Sequence, residues 1–109
     1  MTTISWARVD ELKSEVGADD FAELCEVFLS EVEDGLARLD FVAGMAALER
    51  DLHFLKGSAL NIGLAEFAAL CGAGETAAHA NRLTPDDLGA IAKCYQASRA
   101  ELIGAQLAD

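Results

Sequence analysis

The stretch His53-Phe54-Leu55-Lys56-Gly57-Ser58-Ala59-Leu60-Asn61-Ile62-Gly63 reads as one helix with two faces. At about 100° per residue, Leu48, Leu52, Leu55, Ala59 and Ile62 advance in alternating steps of four and three. They form one apolar stripe, which marks the core side. His53, Gly57, Leu60 and Asn61 fall on the other side, with Lys56 at its edge and Ser58 toward the flank. A histidine is therefore expected at the surface, one turn before a glycine and with a cation one turn away. Such a surface presents an imidazole nitrogen to something large.

Working outward, the spacing predicts five helices and no strands. The first covers about Ser5 to Val16, with Val9, Leu12 and Val16 inward and Gly17 as its stop. The second covers about Asp19 to Phe41, with Phe21, Leu24, Cys25, Phe28, Val32, Leu36 and Leu39 in helical register. Asp20 and Glu23 lie near its start, where the helix dipole favours anions. Val42-Ala43-Gly44 is the expected turn. The third helix, about Met45 to Asn61, carries the opening stretch and stops at Gly63. The fourth covers about Leu64 to Asn81, with Phe67, Leu70, Cys71, Gly74 and Ala78 inward. Gly72 and Gly74 are each disfavoured by about 1 kcal/mol against alanine in a helix interior, so close approach of a neighbouring helix is expected there. The last helix opens on Thr84, Pro85, Asp86 and Asp87, the order of a cap followed by a first turn. Leu88, Ile91, Tyr95, Leu102 and Leu107 are its expected inner face. The fold class is all-α: an antiparallel four-helix bundle with a short extra N-terminal helix, a single domain over residues 1–109.

Composition excludes several classes of function. The chain carries 19 acidic and 8 basic residues, a net charge of −11. Nucleic acid and anionic membrane reward clustered lysine and arginine, so neither is an expected partner. The charge is uneven. Residues 1–35 hold ten acids and two bases, whereas residues 41–64 hold only Glu49, Arg50, Asp51 and Lys56 and are neutral. The neutral segment is the one that carries His53, where an incoming phosphate meets less repulsion. No apolar run reaches the roughly 18 residues of a membrane span. Met1-Thr2-Thr3-Ile4-Ser5 lacks the basic and apolar regions of a secretory leader, so a cytoplasmic location is expected. Cys25, Cys71 and Cys94 are far apart, at core-like positions, and read as reduced packing residues. No closely spaced ligand pair suggests a metal, and no cofactor is expected.

The residues of the opening stretch suit what phosphoryl transfer would require. A neutral imidazole is a competent nucleophile near neutral pH. The protein must position it and offset charge on the transferring group. A helix supplies rigidity, Gly57 removes a side chain where a partner would clash, and Lys56 can reach phosphoryl oxygens. Phe54 and Leu60 supply an apolar rim for transient docking. His79, between alanines at a helix end, reads as incidental. Trp6 reads as an anchor for the first helix.

Taken together, His53, Lys56, Gly57, Ser58 and Gly63 match the pattern H-x-x-K-G-[SA]-x-x-x-x-G position by position. This segment resembles the signature of histidine-containing phosphotransfer (Hpt) domains. Leu55, Asn61 and Ile62 fit its usual residue choices, as do Leu48 upstream and Leu70, Cys71 and Glu75 downstream. The resemblance covers about residues 5–107. Ser58-Ala59-Leu60-Asn61 looks more like stand-alone or hybrid-kinase domains than the chemotaxis-kinase version. Gly72 and Gly74 depart from it, standing where larger residues are common. The resemblance implies a helical bundle whose histidine, here His53, exchanges a phosphoryl group with the aspartate of a response-regulator receiver domain. Lys56 and Gly57 would assist, and Phe54, Leu60, Asn61 and Ser58 would bind the partner. A hybrid sensor histidine kinase and response regulators are the implied partners, and any divalent metal would belong to the receiver. The chain itself is expected to be a monomer. It has no phosphate-binding nucleotide loop, so ATP-dependent kinase activity is not expected.

Three other readings compete. A docking or inhibitory partner of a receiver or kinase would keep the fold without the chemistry, but has no use for the nucleophile. A di-metal bundle would carry inward Glu-x-x-His pairs, and neither histidine has one. A dimerisation module would use the exposed Phe54 and Leu60.

Overall fold

The computed structural model describes residues 4–107, with side chains described through residue 105. Met1–Thr3, read above for a leader, and the side chain of Leu107 lie outside the described residues. All regular structure among them is helical: α1 Trp6–Val16, α2 Ala18–Ala37, α3 Met45–Asn61, α4 Ala65–His79 and α5 Pro85–Leu107. None of these helices is long and apolar enough to cross a membrane.

The ends of the helices follow from local chemistry. Ser5 caps α1, its hydroxyl accepting from the Arg8 N–H at 3.4 Å. Gly17, at φ +87°, turns the chain out of α1 and into α2. α2 stops at Ala37, four residues before the expected Phe41. The apolar spacing continues through Leu39, but the backbone does not. The Asp40 carboxylate accepts from the Val42 N–H at 2.9 Å and starts a short 3-10 turn, Phe41–Ala43. An aspartate that satisfies the backbone locally competes with helix continuation. Leu39 and Phe41 still pack against the core from this turn.

α3 and α4 end in the same way on different residues. After α3, the Leu64 N–H donates to the Ala59 carbonyl at 2.9 Å and the Gly63 N–H to the Leu60 carbonyl at 3.3 Å. After α4, the Arg82 N–H donates to the Ala77 carbonyl at 2.7 Å and the Asn81 N–H to the Ala78 carbonyl at 3.0 Å. Both are Schellman closures, with Gly63 at φ +82° and Asn81 at φ +59° as the left-handed residues. α4 therefore ends at His79, two residues before the expected Asn81. At α5, Thr84 and Asp87 cap each other reciprocally: the Asp87 N–H donates to Thr84 Oγ1 at 3.2 Å and the Thr84 N–H to Asp87 Oδ2 at 2.9 Å.

The apolar stripe of α3 is the centre of the molecule. Leu48, Leu52, Leu55, Ala59 and Ile62 are fully buried, in one core cluster with Phe21 and Val32 of α2, Phe67 and Cys71 of α4, and Ile91 and Tyr95 of α5. Full burial of a leucine contributes about 1.5–3 kcal/mol, so this stripe is a main source of stability. The rings of Phe67 and Tyr95 meet tilted at 59°, with centroids 5.4 Å apart. The Tyr95 hydroxyl donates to Glu33 at 2.6 Å, and burial holds it protonated far above the usual range. Burial likewise pushes the Cys71 thiol up to about 12, as expected of a packed thiol. Cys94 is only half-buried. Trp6 packs against the core and anchors α1 as expected.

Gly63 is required twice. Its φ is left-handed, and a Cβ there would sit 2.9 Å from the Ser5 carbonyl. Ser5 in turn donates its N–H to the Gly63 carbonyl at 2.7 Å, which joins α1 to the end of α3. Gly63→Ala is expected to cost at least about 2 kcal/mol, the upper end of the left-handed penalty. That is a fall in melting temperature of roughly 8 °C or more. Gly63→Asn tolerates the dihedral but keeps the Cβ clash, so thermal unfolding is expected to show no rescue.

Candidate functional site

α3 presents His53 as its spacing requires. The imidazole is 69% exposed. Phe54 and Leu60, 47% and 54% exposed, are the large apolar side chains beside it. Gly57 and Asn61 are also exposed. A Cβ placed on Gly57 would meet nothing within 4 Å. The Asn61 carbonyl accepts from Arg8 Nε at 3.0 Å, so the end of this face is braced by α1. Ser58 is the exception to the expected arrangement. It is only 8% exposed. It lies about 140° round the helix from His53, past the flank and into the packed side, and has little to offer a partner.

The site has a member on the neighbouring helix. Glu75 of α4 reaches across to α3 and divides its two oxygens. Oε2 is 3.0 Å from His53 Nδ1, and Oε1 accepts from Lys56 Nζ at 3.0 Å. Lys56, expected as a mobile charge at the edge, is thus held against α4 and partly buried. The Lys56 hydrogen bond and, more weakly, that of His53 hold the Glu75 carboxyl below its ordinary value, against the burial that opposes them. An ionised carboxylate at Nδ1 must receive a hydrogen. Assigned from this network, Nδ1 carries the proton and Nε2 keeps its lone pair, which is directed away from Glu75.

Glu75 stood in the sequence as a residue in a family-like position, without a role. The signal that points to it is the hairpin. Residues 56, 53 and 49 of α3 meet residues 75, 75 and 79 of α4, so the two helices run antiparallel about the Gly63 turn. Counting about equally far on either side of that turn from His53 arrives near Glu75.

The same seam holds a second pair. His79 Nδ1 lies 3.2 Å from Glu49 Oε2, so His79 has a partner after all. Among the described residues, no lysine or arginine is ion-paired with Glu49. His79 also sits at a helix C-terminus, whose negative end repels a phosphate. Geometry therefore favours His53.

The family model of the Hpt domain matches residues 19–101, which span α3, α4 and nearly all of α2. The chain belongs to the Hpt domain family. Hpt domains carry out histidine phosphotransfer in phosphorelays, with receiver domains and kinases as partners. Comparisons with curated proteins and with solved structures found no match. The all-helical fold is that expected of an Hpt domain, with the exposed histidine, lysine and glycine on one helix.

The depressed Glu75 carboxyl gives a signed expectation. A group whose pKa is lower folded than unfolded adds stability above its unfolded value and loses it as pH falls through the folded value. In this Hpt domain a carbon-13 titration of the Glu75 carboxyl is expected to have its midpoint below 4.5. Lys56→Ala should move that midpoint upward. The His53 ring nitrogens should report hydrogen on Nδ1 at neutral pH, and Glu75→Ala should remove that preference.

Proposed function

We propose that His53 Nε2 accepts a phosphoryl group from the phosphoaspartate of a receiver domain and passes it to a second receiver. The observation that carries this reading is the asymmetric imidazole: Nδ1 held by an ionised Glu75, Nε2 free on a 69% exposed ring. In the transfer, the Nε2 lone pair forms the P–N bond as the P–O bond to the receiver's aspartate breaks. The aspartate leaves as a carboxylate. The proton stays on Nδ1, and the resulting imidazolium charge faces Glu75. The reverse sequence returns the group to a receiver. Phe54 and Leu60 form the apolar rim of the docking face, with Asn61 at its end.

Residues 1–109 act in this reading as one Hpt domain, with α2–α5 as an antiparallel four-helix bundle and α1 as the extra helix. A cytoplasmic monomer served by a hybrid sensor kinase fits the acidic charge and the partner class.

Gly57 supports the reading independently. Glycine is disfavoured by about 1 kcal/mol in a helix interior, and nothing within this protein needs it at position 57. Its benefit lies outside the molecule, in room for a partner. Gly57→Ala is therefore expected to raise stability by up to about 1 kcal/mol while slowing transfer, and Gly57→Leu to block it. Thermal unfolding and stopped transfer reactions read the two effects.

The direct test is incubation with a panel of phosphorylated receiver domains, followed by intact mass. One acid-labile, alkali-stable phosphoryl group is expected on the wild type and none on His53→Gln. A receiver that binds the protein without transferring its group would establish the docking reading instead.

A further inference from the structure

The three glycines at the α3–α4 seam have three different surroundings. A Cβ on Gly57 would meet open space. A Cβ on Gly74 would meet Ile91 Cδ1 and Leu52 Cδ1, both at 3.1 Å, so that glycine admits the core. A Cβ on Gly72 would meet a single neighbour, Lys56 Cδ at 3.3 Å. Gly72 lies inside α4 at an ordinary helical φ, so its backbone does not call for glycine. Its position is not enclosed by the core either, since it is only half-buried. What the missing side chain leaves room for is the stem of Lys56.

We infer that Gly72 is a positioning residue for the Lys56–Glu75–His53 chain, its bare backbone forming the slot along which the lysine stem lies. The inference rests on the reading of His53 as phosphoacceptor. Lys56 has to cross from α3 to α4 to place Nζ 3.0 Å from Glu75 Oε1. The route passes Gly72, one turn before Glu75 on α4. With a side chain at 72 the stem is pushed outward, the ammonium leaves Oε1, and Glu75 loses one of its two restraints. The carboxylate then turns freely and holds the His53 ring less well. Gly72 itself touches no reacting atom. Its effect on transfer runs wholly through Lys56.

That dependence makes the inference testable apart from any general effect on folding. Gly72→Ala and Gly72→Leu replace the least favourable ordinary helix residue with good helix formers, so both variants are expected to melt at or above the wild-type temperature. Transfer from a phosphorylated receiver is nevertheless expected to fall, several-fold for Gly72→Ala. For Gly72→Leu it should approach the about hundredfold loss that a misplacement of ~1 Å can cause. The Glu75 carboxyl titration should move up toward its ordinary value in step. In a Lys56→Met background, adding Gly72→Leu should change neither readout further, because the two substitutions remove the same contact. Wild-type transfer and an unmoved Glu75 midpoint in Gly72→Leu would overturn the inference. So would an equal loss of transfer in the Lys56→Met background, which would place Gly72 in the docking surface. If the wild type takes no phosphoryl group from any receiver, the functional reading of His53 fails. The Glu75 titration then still decides whether Gly72 seats the lysine.

Discussion

A single carboxylate on α4 serves two residues of α3, and the rest of the site depends on that sharing. An exposed imidazole on a lone helix would have no fixed tautomer and a freely turning ring. Glu75 removes both freedoms by taking Nδ1, 3.0 Å away. A carboxylate beside the nucleophile would by itself repel an incoming phosphate. Lys56, on the other oxygen, neutralises it. With a neutral imidazole the group His53–Glu75–Lys56 carries no net charge, and its two α3 members lie in the neutral segment 41–64. The two salt-bridge partners are only partly exposed, with Glu75 at 22%, so their attraction is screened less than that of a fully solvated pair.

The arrangement divides labour between two helices. α3 presents the proposed nucleophile His53, the exposed Phe54 and Leu60, and the open space at Gly57. α4 supplies the carboxylate that orients it. The relation between them is set by their packing, the most extensive between any two elements of the molecule. α1 adds to this from one end. Ser5 and Arg8 are tied to the Gly63 and Asn61 carbonyls, so the last turn of α3 is braced from that end.

Most of this was legible from spacing. The apolar stripe of α3, the exposure of His53, Phe54 and Leu60, and the caps at Gly17, Gly63 and Thr84 all follow from a 3.6-residue period and elementary end chemistry. The misread boundaries share a cause. Leu36, Leu39 and Phe41 keep a helical spacing, yet Asp40 diverts the backbone by binding the Val42 N–H. Asn81 fits a helix in sequence, yet adopts the left-handed conformation that closes one. Both are decisions taken by a polar side chain or a single dihedral, which hydrophobic periodicity does not record. Glu75 and the path of Lys56 were hidden for a different reason. They depend on the register of two helices, which brings together residues 22 apart along the chain, and periodicity within one helix carries no information about register between two. Ser58 was placed at the flank because the boundary between flank and core depends on how closely α3 is covered, again a property of the packing.

The glycines of α4 show how that closeness is achieved. A helix that carries Gly72 and Gly74 gives up about 2 kcal/mol of intrinsic propensity against alanine at both positions. No turn or special dihedral calls for them. They thin α4 on two sides. At Gly74 the core enters, with Leu52 from α3 and Ile91 from α5 meeting over the bare backbone. At Gly72 the stem of Lys56 passes. A thicker α4 would stand farther from α3. A glutamate side chain has a fixed reach, so greater separation would take Glu75 away from Nδ1 before it unfolded anything. Of the two glycines that looked in sequence like weaknesses of the fourth helix, Gly74 lets it pack closely against the third and Gly72 leaves room for the lysine that reaches across.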